Sequence, residues 1–198
     1  MRIPWRCALL TGAALTAACA THTALDQFPQ YLPFGPVPAV LHLGGYAGLG
    51  DVDSGSESIH GISGGVGGRL NEHLEMLFRF ENGEFAGQGA GSAPNSISDG
   101  NQLHLDLGLR GYMPTDGKVR PYFEGYIGYG FADPDRATSD TLGGRSWSVG
   151  AGIEFVFNRW FALATGLEYR DTEWRAEIVD DFGRQSLSAQ LQFILRLP

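Results

Sequence analysis

The strictest constraint in this sequence is a repeated alternation of apolar and polar residues with a period of two. Its clearest instance is Leu103-His104-Leu105-Asp106-Leu107-Gly108-Leu109-Arg110, where four leucines share one parity and His104, Asp106, Gly108 and Arg110 the other. On a helix those leucines would spiral round the axis, but on a strand they form one wall. The pattern recurs in Trp147, Val149, Ala151, Ile153, Phe155 and Phe157, then in Phe161, Leu163, Thr165, Leu167 and Tyr169. It closes the chain in Leu187, Ala189, Leu191, Phe193, Leu195 and Leu197. Weaker members run over 39–50, 59–70, 73–81 and 119–131. These segments make about eight strands, each long enough for the roughly 9–11 tilted residues that cross a bilayer. No internal stretch approaches the roughly 20 apolar residues of a spanning helix.

The connections between these segments differ in length. Asn71-Glu72, Pro114 to Lys118 and Asn158-Arg159 are short, whereas the polar stretches 51–58, 82–101, 132–146 and 171–186 are long. Strict alternation of short and long is expected of a membrane barrel with one end in the periplasm and the other outside. With an even strand count, both termini fall at the short-turn end.

Alternation does not say which face is inside, because a soluble lipocalin-like carrier would show the same period with its faces exchanged. The polar parity carries Gly44, Gly48, Gly108, Gly128, Gly130, Gly150, Gly152 and Gly166 beside His42, Tyr46, Tyr122 and Tyr126. The chain has 29 glycines in 198 residues, and inside a strand glycine marks places where something else must fit closely. Small residues next to large ones suit the interior of a narrow barrel. The same parity holds Arg69, Glu75, Arg79, Asp106, Arg110, Arg120, Glu124, Glu154, Glu168 and Arg170, five of each sign, with His104 among them. An enclosed space needs such a balance, since an unpaired buried charge costs several kcal/mol or more. The expectation is a lumen network of ion pairs formed by these eleven residues. Aromatics on the opposite parity lie towards strand ends, Tyr129, Phe131 and Trp147 at one and Phe123, Phe157 and Phe161 at the other. That is the spacing of two interfacial girdles.

The start of the chain reads as an export signal. Arg2 and Arg6 precede an apolar run from Cys7 to Ala18, then small residues, too short for a membrane anchor. Leu15-Thr16-Ala17-Ala18-Cys19 resembles a lipobox, which would make Cys19 a lipidated first residue, although Thr16 stands where leucine is usual. Cleavage after Ala20 is the competing reading. Residues 21–38 hold Pro29, Pro33, Pro36 and Pro38 and read as an extended periplasmic leader. Both cysteines lie at or before Cys19, so the remainder contains no disulfide. Without Arg2 and Arg6, 12 basic residues face 22 acidic ones, a balance that offers nucleic acid no electrostatic footing.

Residues 39–198 resemble the small outer-membrane barrels of the OmpA and OmpX type. The likeness rests on Tyr126-Ile127-Gly128-Tyr129-Gly130, on Gly150-Ala151-Gly152-Ile153-Glu154-Phe155 turning at Asn158-Arg159-Trp160, and on Gly166-Leu167-Glu168-Tyr169-Arg170. It implies an all-β, eight-stranded antiparallel up-and-down transmembrane barrel of the Gram-negative outer membrane, monomeric and without cofactor. Its surroundings would be outer-membrane lipid, lipopolysaccharide and the barrel-assembly machinery. Such barrels usually end in an aromatic residue, whereas here Leu197 is followed by Pro198. Lipid-modifying barrels of this size need a His and Ser two apart on one lipid-facing strand. The nearest pair, His60 and Ser63, is three apart and falls on opposite faces. The histidines His22, His42, His60, His73 and His104 form no ligand pair. The acidic stretch Asp171, Glu173, Glu177, Asp180 and Asp181 could share divalent cations with lipopolysaccharide phosphates. The expectation is therefore a non-enzymatic envelope protein with a plugged interior, the alternatives being a narrow gated channel and the lipocalin-like carrier.

Overall fold

The computed structural model describes residues 38–52, 55–87, 99–134, 142–175 and 182–197. The expected signal sequence, Cys19 and nearly all of the proline-rich leader lie outside the described residues, as do Glu177, Asp180 and Asp181. The described chain forms eight strands, β1 (Ala39–Val52), β2 (Gly55–Asn71), β3 (Leu74–Gly87), β4 (Asp99–Tyr112), β5 (Val119–Pro134), β6 (Leu142–Val156), β7 (Phe161–Arg175) and β8 (Phe182–Arg196). Each pairs antiparallel with its neighbours in sequence, and β8 pairs with β1, closing the barrel. This is the all-β, up-and-down architecture that the alternation implied.

Closure has a definite stagger. Stepping between paired residues from Val40 through Gly67, Leu77, Gly108, Tyr126, Ser148, Arg170 and Ser186 returns to β1 at Gly50, ten residues from the start. Eight strands with that stagger tilt by about 40° from the axis, leaving an interior that side chains can fill.

The wall faces the way the glycines indicated. Leu43, Leu107, Ile127, Val149, Leu167 and Leu191 point outward and are exposed, Ile127 by 70%. His42, Arg79, Asp106, Glu168 and Gln190, on the other parity, are buried. A continuous apolar exterior of this extent is incompatible with water and suited to lipid, which excludes the carrier with exchanged faces. Lumen glycines are spaces for large neighbours. A Cβ on Gly152 or Gly166 would lie 2.5 or 2.6 Å from the Tyr122 hydroxyl, so that ring can cross the interior only over bare backbone.

The strands are longer than the alternation suggested, at 14–17 residues. Fourteen residues tilted by about 40° rise roughly 35 Å, about 10 Å more than the apolar band of such barrels. The surplus is at one end. Beyond the apolar run the outward positions become Asp51, Ser58, His60, Glu84, Asn101, Asp133, Arg145, Glu173 and Gln185. We call this the loop end and the other the turn end.

Consequently the expected sorting of connections does not hold. Strands take up part of each of the stretches 51–58, 82–101, 132–146 and 171–186, leaving 53–54, 88–98, 135–141 and 176–181 between strands. The first is as short as Glu72-His73 between β2 and β3, and the last matches the six residues between β4 and β5. The ladder continues where both faces have become polar, so the period-two contrast fades before the hydrogen bonds do. At the turn end, Asn71 Oδ1 accepts from the His73 amide at 2.8 Å. Asn158 Oδ1 accepts from the Trp160 and Phe161 amides at 2.8 and 2.9 Å. Both are the turn chemistry for which asparagine is suited.

Candidate functional site

The lumen is the one enclosed environment that the eight strands create, and its contents are layered. At the turn end Val40, Tyr112, Tyr122, Ala162, Ala164 and Ile194 form an apolar and aromatic layer. At the loop end Ile59, Phe85, Ala132, Leu142 and Trp174 form a second. Between and around them lie seven buried carboxylates, Glu57, Glu75, Glu81, Asp106, Glu124, Glu154 and Glu168. They face five buried guanidiniums, Arg79, Arg110, Arg170, Arg184 and Arg196.

The centre is the most heavily paired part. Arg79 donates to Asp106 Oδ2 at 2.9 Å and to Ser148 Oγ at 3.2 Å, and forms a two-pronged pair with Glu168. Arg170 pairs with Glu81 at 2.7 Å, Asp106 at 2.9 Å and Glu168 at 3.0 Å. Five groups from β3, β4 and β7 therefore share one cluster. Cross-strand register produces it, since Arg79 lies opposite Asp106 and Glu81 opposite His104. The Arg79 guanidinium also stacks 3.7 Å from the Tyr126 ring centre.

Below the centre, Arg110 donates to Glu124 Oε2 at 2.6 Å and to Gln192 Oε1 at 2.6 Å. Tyr126 donates to the same Glu124 oxygen at 3.0 Å. Lower still, the Tyr112 hydroxyl lies 2.8 and 3.0 Å from Glu75 and Glu154, and Arg196 donates to Glu154 at 2.6 Å. Glutamines join the levels. Gln192 Nε2 donates to Gln190 at 2.8 Å, and Gln190 Nε2 to Glu168 at 2.7 Å. His42 lies between Gln192 and Glu75, at 3.3 and 3.6 Å. At the mouth, Arg184 from β8 reaches Gln102 at 2.8 Å and Glu57 at 3.0 Å, its guanidinium 4.2 Å from the Phe85 ring centre and 5.8 Å from that of Trp174.

Of the eleven residues expected in this network, Glu75, Arg79, Asp106, Arg110, Glu124, Glu154, Glu168 and Arg170 are brought together as described. Three are not. Arg69 is half-buried at the turn-end rim and donates to the carbonyls of Asn71 and Glu72, where a register shift ends β2. Arg120 is also half-buried, lying 5.3 Å from the Tyr112 ring centre and 3.5 Å from the Glu72 carbonyl. The register sets Arg69 opposite Glu75 and Arg120 opposite Glu154, but those carboxylates are engaged by His42, Tyr112 and Arg196, and backbone oxygens take their place as partners. His104 is buried but joins no ion pair among the described residues. It packs against Trp174 at 5.7 Å between ring centres, and its Nδ1 has no partner there.

The expected network left out five charged or histidine members, His42, Glu57, Glu81, Arg184 and Arg196, although the alternation puts His42 and Arg196 on the polar parity. Glu81 continues the lumen parity of Arg79 and could have been found by extending it. Glu57 and Arg184 fall in stretches that resemble loops. Among the described residues two pockets of about 10 Å³ each lie between these side chains, room for about one water apiece. His60 faces outward beside Glu84 at 3.8 Å while Ser63 is buried in the lumen, so the two cannot act on one substrate. Among the described residues no cluster of three or more His, Cys, Asp or Glu could hold a metal.

Comparison with known proteins agrees with this geometry. The family described as "Outer membrane protein beta-barrel domain" matches residues 11–193. Among solved structures the fold is shared with Neisserial surface protein A, at 16% identity and a TM-score of 0.62, covering 78% of this chain and 95% of that one. It is also shared with the outer membrane protein OprG of Pseudomonas aeruginosa, at 13% identity and a TM-score of 0.55, covering 81% and 96%. No curated protein matches the sequence.

Proposed function

This chain belongs to the outer membrane protein β-barrel family, and on that premise we propose that it is a non-enzymatic envelope protein, a plugged barrel that anchors surface-exposed connections. The observation that carries the reading is the lumen: among the described residues a cross-linked charge network lies between two apolar layers, and the two pockets beside it each have room for about one water. Electrostatic pairing across the axis stiffens the wall and fills the route that a diffusing solute would need. The polar outward collar at the loop end supports a loop end facing the exterior, with both termini in the periplasm. Lipopolysaccharide and the barrel-assembly machinery are then the partners that each end meets.

Planar-bilayer recording of the purified barrel tests the plug. Wild-type protein is expected to give no unitary steps, and sustained steps would overturn the reading. The narrow gated channel is favoured by one observation, the two water-sized pockets flanking the Arg79 cluster. Steps that vanish on neutralising Arg110 or Glu124 would select it. Cysteines introduced at Asp51 and Asp116, probed on intact cells with an impermeant maleimide, test orientation. Label at Asp116 alone would reverse it. Fatty-acid labelling with and without Cys19→Ala decides between lipidation there and cleavage after Ala20.

A further inference from the structure

The turn-end rim is uneven around its circumference. On the side of β5 to β8, Phe157 stacks on Phe161 at 5.6 Å between ring centres, and Phe161 on Phe193 at 6.0 Å, all on the outer wall. The β6–β7 turn then places Arg159 with its guanidinium 4.6 Å from the Trp160 ring centre, and both residues are exposed. The Asn158 side chain fixes that turn through two backbone amides. The Val156 amide donates to the Lys118 carbonyl at 2.7 Å, which sets exposed Lys118 in the same sector. Among the described residues, no carboxylate pairs with Arg159 or Lys118. On the opposite side the rim offers Leu70 and Met76 to the outside, and Arg69 is occupied by carbonyls.

A girdle that served only to fix depth would run all the way round. Here aromatic rings and two unengaged cations share one sector, next to acyl-facing wall. Indole rings sit at headgroup level, and cations near them reach lipid phosphates. A guanidinium stacked on an indole keeps its in-plane N–H groups free, the geometry that phosphate accepts in two-pronged form. We propose that Arg159, Trp160 and Lys118 seat the phosphate of one anionic glycerophospholipid, with its chains along Phe157, Phe161 and Phe193. Charge complementarity and continuity with the lipid-facing wall select that occupant. The choice of phospholipid rests on the orientation proposed above, which turns this rim towards the periplasmic leaflet.

Native mass spectrometry of the folded barrel, released from nonionic detergent and titrated with phosphatidylglycerol, phosphatidylcholine or lipid A, tests the seat. One phosphatidylglycerol is expected to be retained several-fold better than phosphatidylcholine. Arg159→Gln and Lys118→Gln are each expected to weaken retention about fivefold, roughly the effect of one charge near a lipid phosphate. Arg145→Gln at the loop end leaves it unchanged. Heat-modifiability on a gel confirms that each variant is folded. Equal retention of phosphatidylcholine, tighter retention of lipid A, or a preference that survives the double substitution would overturn the proposal. Micelles have no sides, so these outcomes are independent of the maleimide result, and either reading can fail alone.

Discussion

The centre of the lumen and its loop-end mouth use the same device, an arginine reaching across to carboxylates, in two settings. At the centre Arg79 and Arg170 share Glu81, Asp106 and Glu168, within the height of the apolar wall. At the mouth Arg184 meets a single carboxylate, Glu57, and borrows the faces of Phe85 and Trp174, at the level where the outer wall has become polar. The central groups lie at the height of the apolar wall, with room beside them for about one water in each of two pockets, and each is held by several others. The mouth pair is as buried as the central groups, Arg184 being 4% and Glu57 2% exposed, but it lies at the level of the polar collar and each charge has one ionic partner among the described residues. Redundant pairing marks the level of the apolar wall, and single pairing the level of the polar collar.

The contrast is broken most directly at Arg79. Arg79→Met leaves three carboxylates facing Arg170 alone, and should destabilise the barrel by about 3–5 kcal/mol. Urea unfolding in lipid vesicles, followed by tryptophan fluorescence, reads this, and a loss below 1 kcal/mol would refute central redundancy. The outer wall sharpens the argument about height. Leu107→Arg, in the middle of the apolar band, should cost about 2–4 kcal/mol in the same assay, and Asn101→Arg on the collar about 0–1. Equal costs would mean that the collar lies inside the membrane.

Next in size is a change that adds bulk rather than removing charge. Gly166→Ala drives a methyl group against the Tyr122 hydroxyl and should cost about 1–3 kcal/mol, whereas Tyr122→Phe combined with it should recover part of the loss. At the mouth, Arg184→Met should cost about 1.5–3 kcal/mol, less than Arg79→Met, and adding Glu57→Gln should restore much of it. If the mouth variant proved the more damaging, the distinction between the two regions would fall. The smallest effect belongs to the rim, where Arg69→Gln should change stability by less than about 1 kcal/mol.

These ranks also explain how far the sequence could be read. The Leu103–Arg110 alternation exposed the strand and its polarity because one face was wholly apolar. Glycines beside Tyr46, Tyr122 and Tyr126 exposed the inward face, since only a crowded interior has use for them. Glu57 and Arg184 were hidden because contrast between faces disappears once the strand leaves lipid, while the backbone ladder continues. Arg69 and Arg120 carried the right parity and lie opposite Glu75 and Glu154, but parity holds no information about which partner a carboxylate takes, and both arginines turn to backbone carbonyls. His104 shared a face with Asp106, yet its neighbour across the lumen is Trp174, which arrives from β7 by closure of the barrel. Pairings of that kind follow from the stagger, which no local pattern encodes.

The ten-residue stagger from Val40 to Gly50 also imposes a rule on how such a chain can vary. One residue inserted within any strand would send every later side chain of that strand through the wall, carboxylates towards lipid and leucines towards the lumen. Two residues would restore parity but slide the Arg79 partners past one another. Descendants of this gene can thus lengthen or shorten only between strands, whereas within them substitution is the sole freedom. Heritable length variation should gather where the strands stop, and the 88–98 interval, the longest of these, is where a foreign segment could be spliced at least structural cost.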